Sequence, residues 1–216
     1  MYTALDDKQA GKVFSGYRML DGKPMWKRDM EGLNQQGLKK LASQLVSFLI
    51  DLHSIPIATL QTVIQQDEKN SLSEIKIMFA KLQNKVFPYM SKASKETVYF
   101  EFESFIEKER LRETKTSLIH GDFGASNILW KVENTEISGI IDFGASGLGD
   151  PAYDFAGILS SYSEDFFEQC IRLYPGGKEI KERVLFYKST FALQEALHGI
   201  ENNDEQAFKN GIKAYL

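Results

Sequence analysis

Three side chains in the middle of the chain have the types and spacing to move a phosphoryl group. Asp122 lies in HGDFGASN (residues 120–127), Asn127 closes that stretch five positions later, and Asp142 stands in IIDFG (residues 140–144). Phosphoryl transfer needs a hydroxyl placed in line with the γ-phosphate and charge neutralised on the phosphate oxygens. A carboxylate at Asp122 can accept a hydrogen bond from that hydroxyl and orient it. Asn127 and Asp142 offer the hard oxygen ligands that Mg²⁺ prefers. The implied cofactors are Mg²⁺ and a nucleoside triphosphate, ATP or GTP. Neither HGD nor DFG alone carries this reading, because each tripeptide recurs by chance and Asp and Asn often cap turns. The order, the five-residue spacing and the strand–turn–strand between them carry it.

The elements that must position these residues are legible around them. Residues 128–132 and 137–141 read as two short strands about a polar turn, entered by an extended segment at 117–119. This catalytic hairpin, 117–144, puts Asn127 and Asp142 at neighbouring strand ends, so two ligands meet one metal. Gly121 and Gly124 relieve steric limits in the loop. Upstream, Leu38, Leu41, Leu45, Phe48, Leu49 and Leu52 recur at spacings of three and four and predict a helix over 35–53, with Pro56 just past its end. Two more helices are expected at 71–89 and 94–110, and four after Pro151, at 152–161, 164–173, 178–200 and 204–215. Residues 13–20 read as a strand before an Asp21-Gly22 turn, with residues 2–5 as its short partner. The fold class is mainly α with a small β-hairpin.

Composition narrows the partners. The chain has 216 residues, 43% of them hydrophobic, enough for a real core. With 26 Lys and Arg against 30 Asp and Glu, the net charge is −4, and no basic face for nucleic acid stands out. No apolar run is long enough for a bilayer, and the acidic start MYTALDDKQAGK lacks the apolar core of a signal peptide. One cysteine, Cys170, excludes a disulfide within the chain and fits a reducing cytoplasm.

These motifs are similar to those of the aminoglycoside phosphotransferase family, whose fold resembles that of protein kinases. That family carries HGD-x-x-x-x-N, then I-D-F/W, then GDP-x-x-D, here Gly149-Asp150-Pro151-Ala152-Tyr153-Asp154. The form HGDFGASNIL with IIDFG looks most similar to the 2″-aminoglycoside phosphotransferase branch, with macrolide kinases alike in this region. The resemblance implies Asp122 as the catalytic residue and Asn127 and Asp142 as metal ligands. It implies Asp154 as a buried brace of the catalytic loop and His120 as a packed structural residue of it. Residues 1–22 then match a remnant of N-terminal-lobe strands and the hinge, with Met19, Leu20 and Asp21 against the nucleotide base. Residues 23–216 match the helical C-terminal lobe. No G-x-G-x-x-G loop and no V-A-I-K-like lysine precede the catalytic motif. The expectation is a lobe that folds but phosphorylates poorly, with an exposed face that could drive self-association.

Only residues 145–149 separate Gly144 from Asp150-Pro151, too few for a peptide-docking platform, so a small acceptor is expected. Asp150, Glu164, Asp165 and Glu168, then Phe191, Glu195 and Glu201, suggest an acidic wall with an aromatic face for a cationic molecule such as an aminoglycoside. Acidic residues at a helix start such as Ser163-Glu164-Asp165 equally favour the helix dipole. His53 reads as a helix-end residue with no chemical role, while His198 is a minor candidate for substrate contact. The alternatives are a kinase of another metabolite or a macrolide, and a catalytically impaired lobe acting only as a ligand-binding module.

Overall fold

The computed structural model describes residues 2–4, 14–16, 18–60, 71–112 and 116–216. Two short strands at the start, β1 (Tyr2–Ala4) and β2 (Phe14–Gly16), pair antiparallel with Tyr2 opposite Gly16. The strand expected over 13–20 is shorter: residues 18–20 are irregular, and Val13 and Tyr17 lie outside the described residues. Then come β3 (Lys23–Pro24), α1 (Gln35–His53), α2 (Ile57–Leu60), α3 (Ser71–Lys85) and α4 (Lys92–Arg110). The hairpin region holds β4 (Ser117–Ile119), β5 (Ile128–Lys131), β6 (Glu136–Ile140) and β7 (Gly147–Gly149). Four helices close the chain: α5 (Ala152–Ser161), α6 (Glu164–Leu173), α7 (Gly177–Asn202) and α8 (Glu205–Ile212).

The apolar stripe of α1 does what its spacing predicts. Leu41, Ala42, Leu45, Val46, Leu49 and Leu52 are buried, and the Asn34 side chain accepts from Gly37 N at 2.9 Å to cap the start. The polar side of α1 is used as well. Gln44 Oε1 accepts from Ile137 N (2.8 Å) and Lys40 Nζ donates to Asn134 O (2.8 Å), tying the helix to the hairpin turn. Phe102, Phe155, Phe166 and Phe167 are fully buried in the core, each contributing roughly 1.5–3 kcal/mol of transfer free energy.

Several boundaries differ for local reasons. The helix expected over 71–89 ends at Lys85, and Phe87–Tyr89 forms a 3-10 turn containing Pro88, which has no amide hydrogen to continue the ladder. Helix α4 begins at Lys92 rather than 94, because Ser91, not Ser94, caps it: Ser91 Oγ accepts from Ser94 N at 3.2 Å. Two strands were not anticipated. The first, β3, extends the hairpin to three strands in the order β3-β5-β6. The second, β7, pairs with β4, Ser117 opposite Gly149. Its sequence is Gly-Leu-Gly, so no alternating side-chain pattern announces it.

Candidate active site

The catalytic loop runs from β4 to β5 and is pinned from below by one carboxylate. Asp154, on the first turn of α5, is fully buried. Its Oδ2 accepts from His120 N (2.8 Å) and its Oδ1 from Gly121 N (2.9 Å). His53 Nε2 lies 3.1 Å from the same Oδ2, and Tyr174 Oη lies 2.9 Å from His53 Nδ1. Burial pushes the Tyr174 hydroxyl up to about 12, with the charges of Asp150 and Asp154 adding to it. The Asp154 carboxylate only accepts, so His53 Nε2–H donates to it, and the Tyr174 hydroxyl donates to Nδ1 of the neutral ring. His53 does end α1, as expected, and it has a structural role beyond that: it is buried and holds the residue that holds the loop.

His120 is also buried and satisfied at both nitrogens. Its Nδ1 accepts from Asp122 N (3.2 Å), and its Nε2 donates to Ile141 O (3.0 Å). The ring thus clamps the catalytic loop to the strand that ends at Asp142. Rings tighten the same joint: Phe48 of α1 stacks on Phe123 (5.8 Å between centroids), and His120 lies 4.7 Å from Phe143. Gly121 has φ +80, and a Cβ there would fall on Ala145 O, so only glycine lets the Asp-Phe-Gly loop close on the catalytic loop.

The three side chains singled out by their spacing sit on this support. Asp122 is exposed, and Asn127 is buried. Asn127 Nδ2 donates to Asp122 Oδ2 and to Asp122 O, both at 2.8 Å. Both amide hydrogens are thereby spent on Asp122, which leaves the Asn127 Oδ1 oxygen for a cation. Ile141 N donates to Asn127 O at 2.9 Å, so Asp142 follows directly alongside Asn127. Asp142 has left-handed backbone (φ 60, ψ 68), which turns the chain out of β6, and its Oδ1 accepts from Gly144 N at 3.3 Å. Among the described residues no three or more His, Cys, Asp or Glu side chains form a ready cage for a metal. The Asn127 amide oxygen and the Asp142 carboxylate are hard oxygens of the kind Mg²⁺ prefers.

Two cavities flank the loop. One of about 580 Å³ is lined by Asp122, Trp26 and Phe191 among others, and one of about 400 Å³ by Glu74, Ala145 and Asp150. Of the residues expected to form an acidic wall with an aromatic face, Asp150 and Phe191 line these cavities. Asp150, just ahead of α5, is buried, its carboxylate bound by Arg183 Nε (2.6 Å) and Nη2 (3.1 Å) of α7. Glu168 pairs with Lys181, and Glu201 with Lys81 and Lys85. Asp165, Glu168, Glu195 and Glu201 line neither cavity. The acidic start of α6, Glu164 and Asp165, follows the Ser163 cap, as a helix terminus favours. His198 is exposed and contacts Asn202. Met19 and Leu20 are exposed, with Leu20 over Gly139 of β6, and Asp21 Oδ2 is 4.0 Å from Lys131 Nζ. Tyr153, Gln194 and Trp26 line the cavities without having been singled out in the sequence; Tyr153, inside GDP-x-x-D, was the one with a positional signal.

Comparison with known proteins bears on family and fold. A model of the phosphotransferase enzyme family matches residues 2–184. Viomycin phosphotransferase of Streptomyces vinaceus is 32% identical over 139 residues, 62% of this chain and 47% of that protein, so the chain spans about half the length of this curated relative. Among solved structures, the GDP complex of wild-type aminoglycoside 2'-phosphotransferase-IIIa superposes with a TM-score of 0.85 at 23% identity, over 95% of this chain and 70% of that one. The macrolide 2'-phosphotransferase type I structure gives 0.72 at 14% identity, over 92% and 68%. These two similarities are of fold.

Proposed function

The chain belongs to the phosphotransferase enzyme family and has its kinase-like fold, and from that premise we propose that it orients a hydroxyl of a cationic antibiotic for attack on the γ-phosphate of ATP or GTP. The observation that carries this reading is the Asn127–Asp122 contact. One amide holds the catalytic carboxylate and keeps its own oxygen for a metal. Asp122 accepts the acceptor's hydroxyl proton as the new O–P bond forms and the bond to the leaving β-phosphate oxygen breaks, giving the phosphate ester and a nucleoside diphosphate. His120, Gly121 and Asp154 fix the loop so that Asp122 needs no rearrangement to do this. Asn127 Oδ1 and the Asp142 carboxylate would hold Mg²⁺, which supplies charge neutralisation at the phosphates. We assign Met19, Leu20 and Asp21 to the side of the nucleotide base. The cytoplasm, where nucleotide triphosphates abound and Cys170 stays reduced, is the compartment this reaction fits.

The test is Mg²⁺-dependent transfer from ATP or GTP to kanamycin, gentamicin or viomycin, followed by mass spectrometry of the product. Asp122→Ala should lower turnover by about 10²–10⁴-fold while kanamycin binding stays within about twofold. Turnover that survives this change would sink the assignment.

A further inference from the structure

The two cavities beside the catalytic loop share three lining residues, Gly121, Tyr153 and Gln194. Gly121 belongs to the loop floor. The wall between the chambers is therefore made of Tyr153 from α5 and Gln194 from α7. Tyr153 Oη donates to Gln194 Oε1 at 3.2 Å, and Gln194 Nε2 donates to Thr190 Oγ1 at 2.9 Å. Thr190, fully buried, donates on to Tyr187 O at 2.7 Å. The Tyr153 ring is held edge-on between Tyr187 (5.3 Å) and Phe191 (5.5 Å). Burial raises the Tyr153 hydroxyl above its ordinary range, with Asp122, Asp154 and Glu74 adding to that, so it remains a donor at neutral pH. The ring is clamped, yet the bond that closes the wall is a neutral one at the long end of its range, and such a bond contributes only about 0.5–1.5 kcal/mol net.

Resting on the phosphotransferase reading, we propose that the Tyr153–Gln194 pair is a specificity-determining partition of the acceptor site. An acceptor that fits beside Asp122 leaves the pair closed. An acceptor long enough to reach the Glu74 chamber takes over the hydrogen bond the pair makes with itself. An amine of the acceptor donates to Gln194 Oε1, and Tyr153 Oη donates to an acceptor hydroxyl. The ligand class is a polyamino, polyhydroxy molecule of more than one ring. The lining of both chambers includes carboxylates, Asp122 in one and Glu74 in the other, and no Lys or Arg, which favours an extended cation over an extended anion.

Two probes separate these cases: 2-deoxystreptamine, a single-ring aminocyclitol, and kanamycin, which extends it. Each is titrated to saturation by calorimetry against the chain, and kcat/KM is measured where transfer occurs. Tyr153→Phe keeps the ring packing and removes the shared hydroxyl, and Gln194→Leu removes the acceptor side. Both should weaken kanamycin by about tenfold and 2-deoxystreptamine by less than about twofold. Gln194→Glu, which adds charge and keeps the acceptor, should tighten kanamycin. Equal loss for both probes, or no change for either, overturns the partition. If Gln194→Leu fails to fold, Tyr153→Phe and Gln194→Glu decide the matter. Transfer to kanamycin with an unchanged ratio between probes leaves the phosphotransferase reading standing and removes the partition alone. Failure of the unaltered chain to bind either probe removes both.

Discussion

His53 ends α1 with its ring between Tyr174 and Asp154, and the two catalytic-loop amides hang from the same carboxylate. Removing the ring leaves a fully buried carboxylate short of one donor, a loss of about 1–3 kcal/mol. His53→Ala should lower the urea midpoint accordingly and reduce kcat more than it raises KM, because the loop loses its brace and the acceptor cavity is untouched. His53→Gln, which can return one N–H to Asp154, should recover most of both; equal loss in Gln and Ala would show that the ring's bulk alone matters. The role was illegible in the sequence for a simple reason. A histidine at a helix end three residues before Pro56 has a sufficient local explanation, and its partner lies 101 positions away. Asp122, Asn127 and Asp142, by contrast, are fixed by short spacings across one hairpin, and their contacts run within that hairpin.

The segment leading into α5 meets α7 at Asp150 and Arg183, and the pair is nearly solvent-free. Breaking it from one side strands a buried charge, at a cost of about 3–5 kcal/mol. Arg183→Met should therefore destabilise strongly in chemical denaturation. Asp150→Asn should do so less, with little change in acceptor KM; a large KM effect with unchanged stability would return Asp150 to the acceptor wall. The GDP-x-x-D motif placed Asp150 near the site, and the cavity beside the loop does include it. What the motif does not contain is Arg183, 33 residues later, which gives that carboxylate a structural partner. The elements divide along the same line. Periodic apolar residues gave α1 its full span, whereas β7 has two glycines in three positions and becomes a strand only because β4 supplies its partners.

At the scale of the whole molecule, one apolar core runs from α1 to α8, and it buries groups that would otherwise ionise. Cys170 is fully buried, and burial pushes its thiol from an ordinary 9.0 up to about 12. Below about pH 9 the thiol is protonated folded or unfolded, so its contribution to stability is complete. As pH rises toward 12 the unfolded thiol ionises first and stability falls, and Tyr174 adds to this from 10.0 to about 12. Iodoacetamide at pH 8 should leave Cys170 unmodified in the native chain and label it in urea. Melting temperature should drop between about pH 9 and 12. Labelling at the same rate in both states would contradict the burial. Such properties have no signature in a linear pattern, because they depend on which helices close over the α6 face.

The suspension of the catalytic loop from Asp154 has a further consequence. Each of these hydrogen bonds to that carboxylate spans 33 residues or more, so the loop's shape is stored outside the hairpin that carries its motif. The stretch from Ser117 to Gly144 contains every residue proposed to act on phosphate, yet it could not be transplanted as a module. Cut out as a peptide or grafted onto another sheet, it would keep its letters and lose its conformation, because the instruction for that conformation is written in α1 and α5.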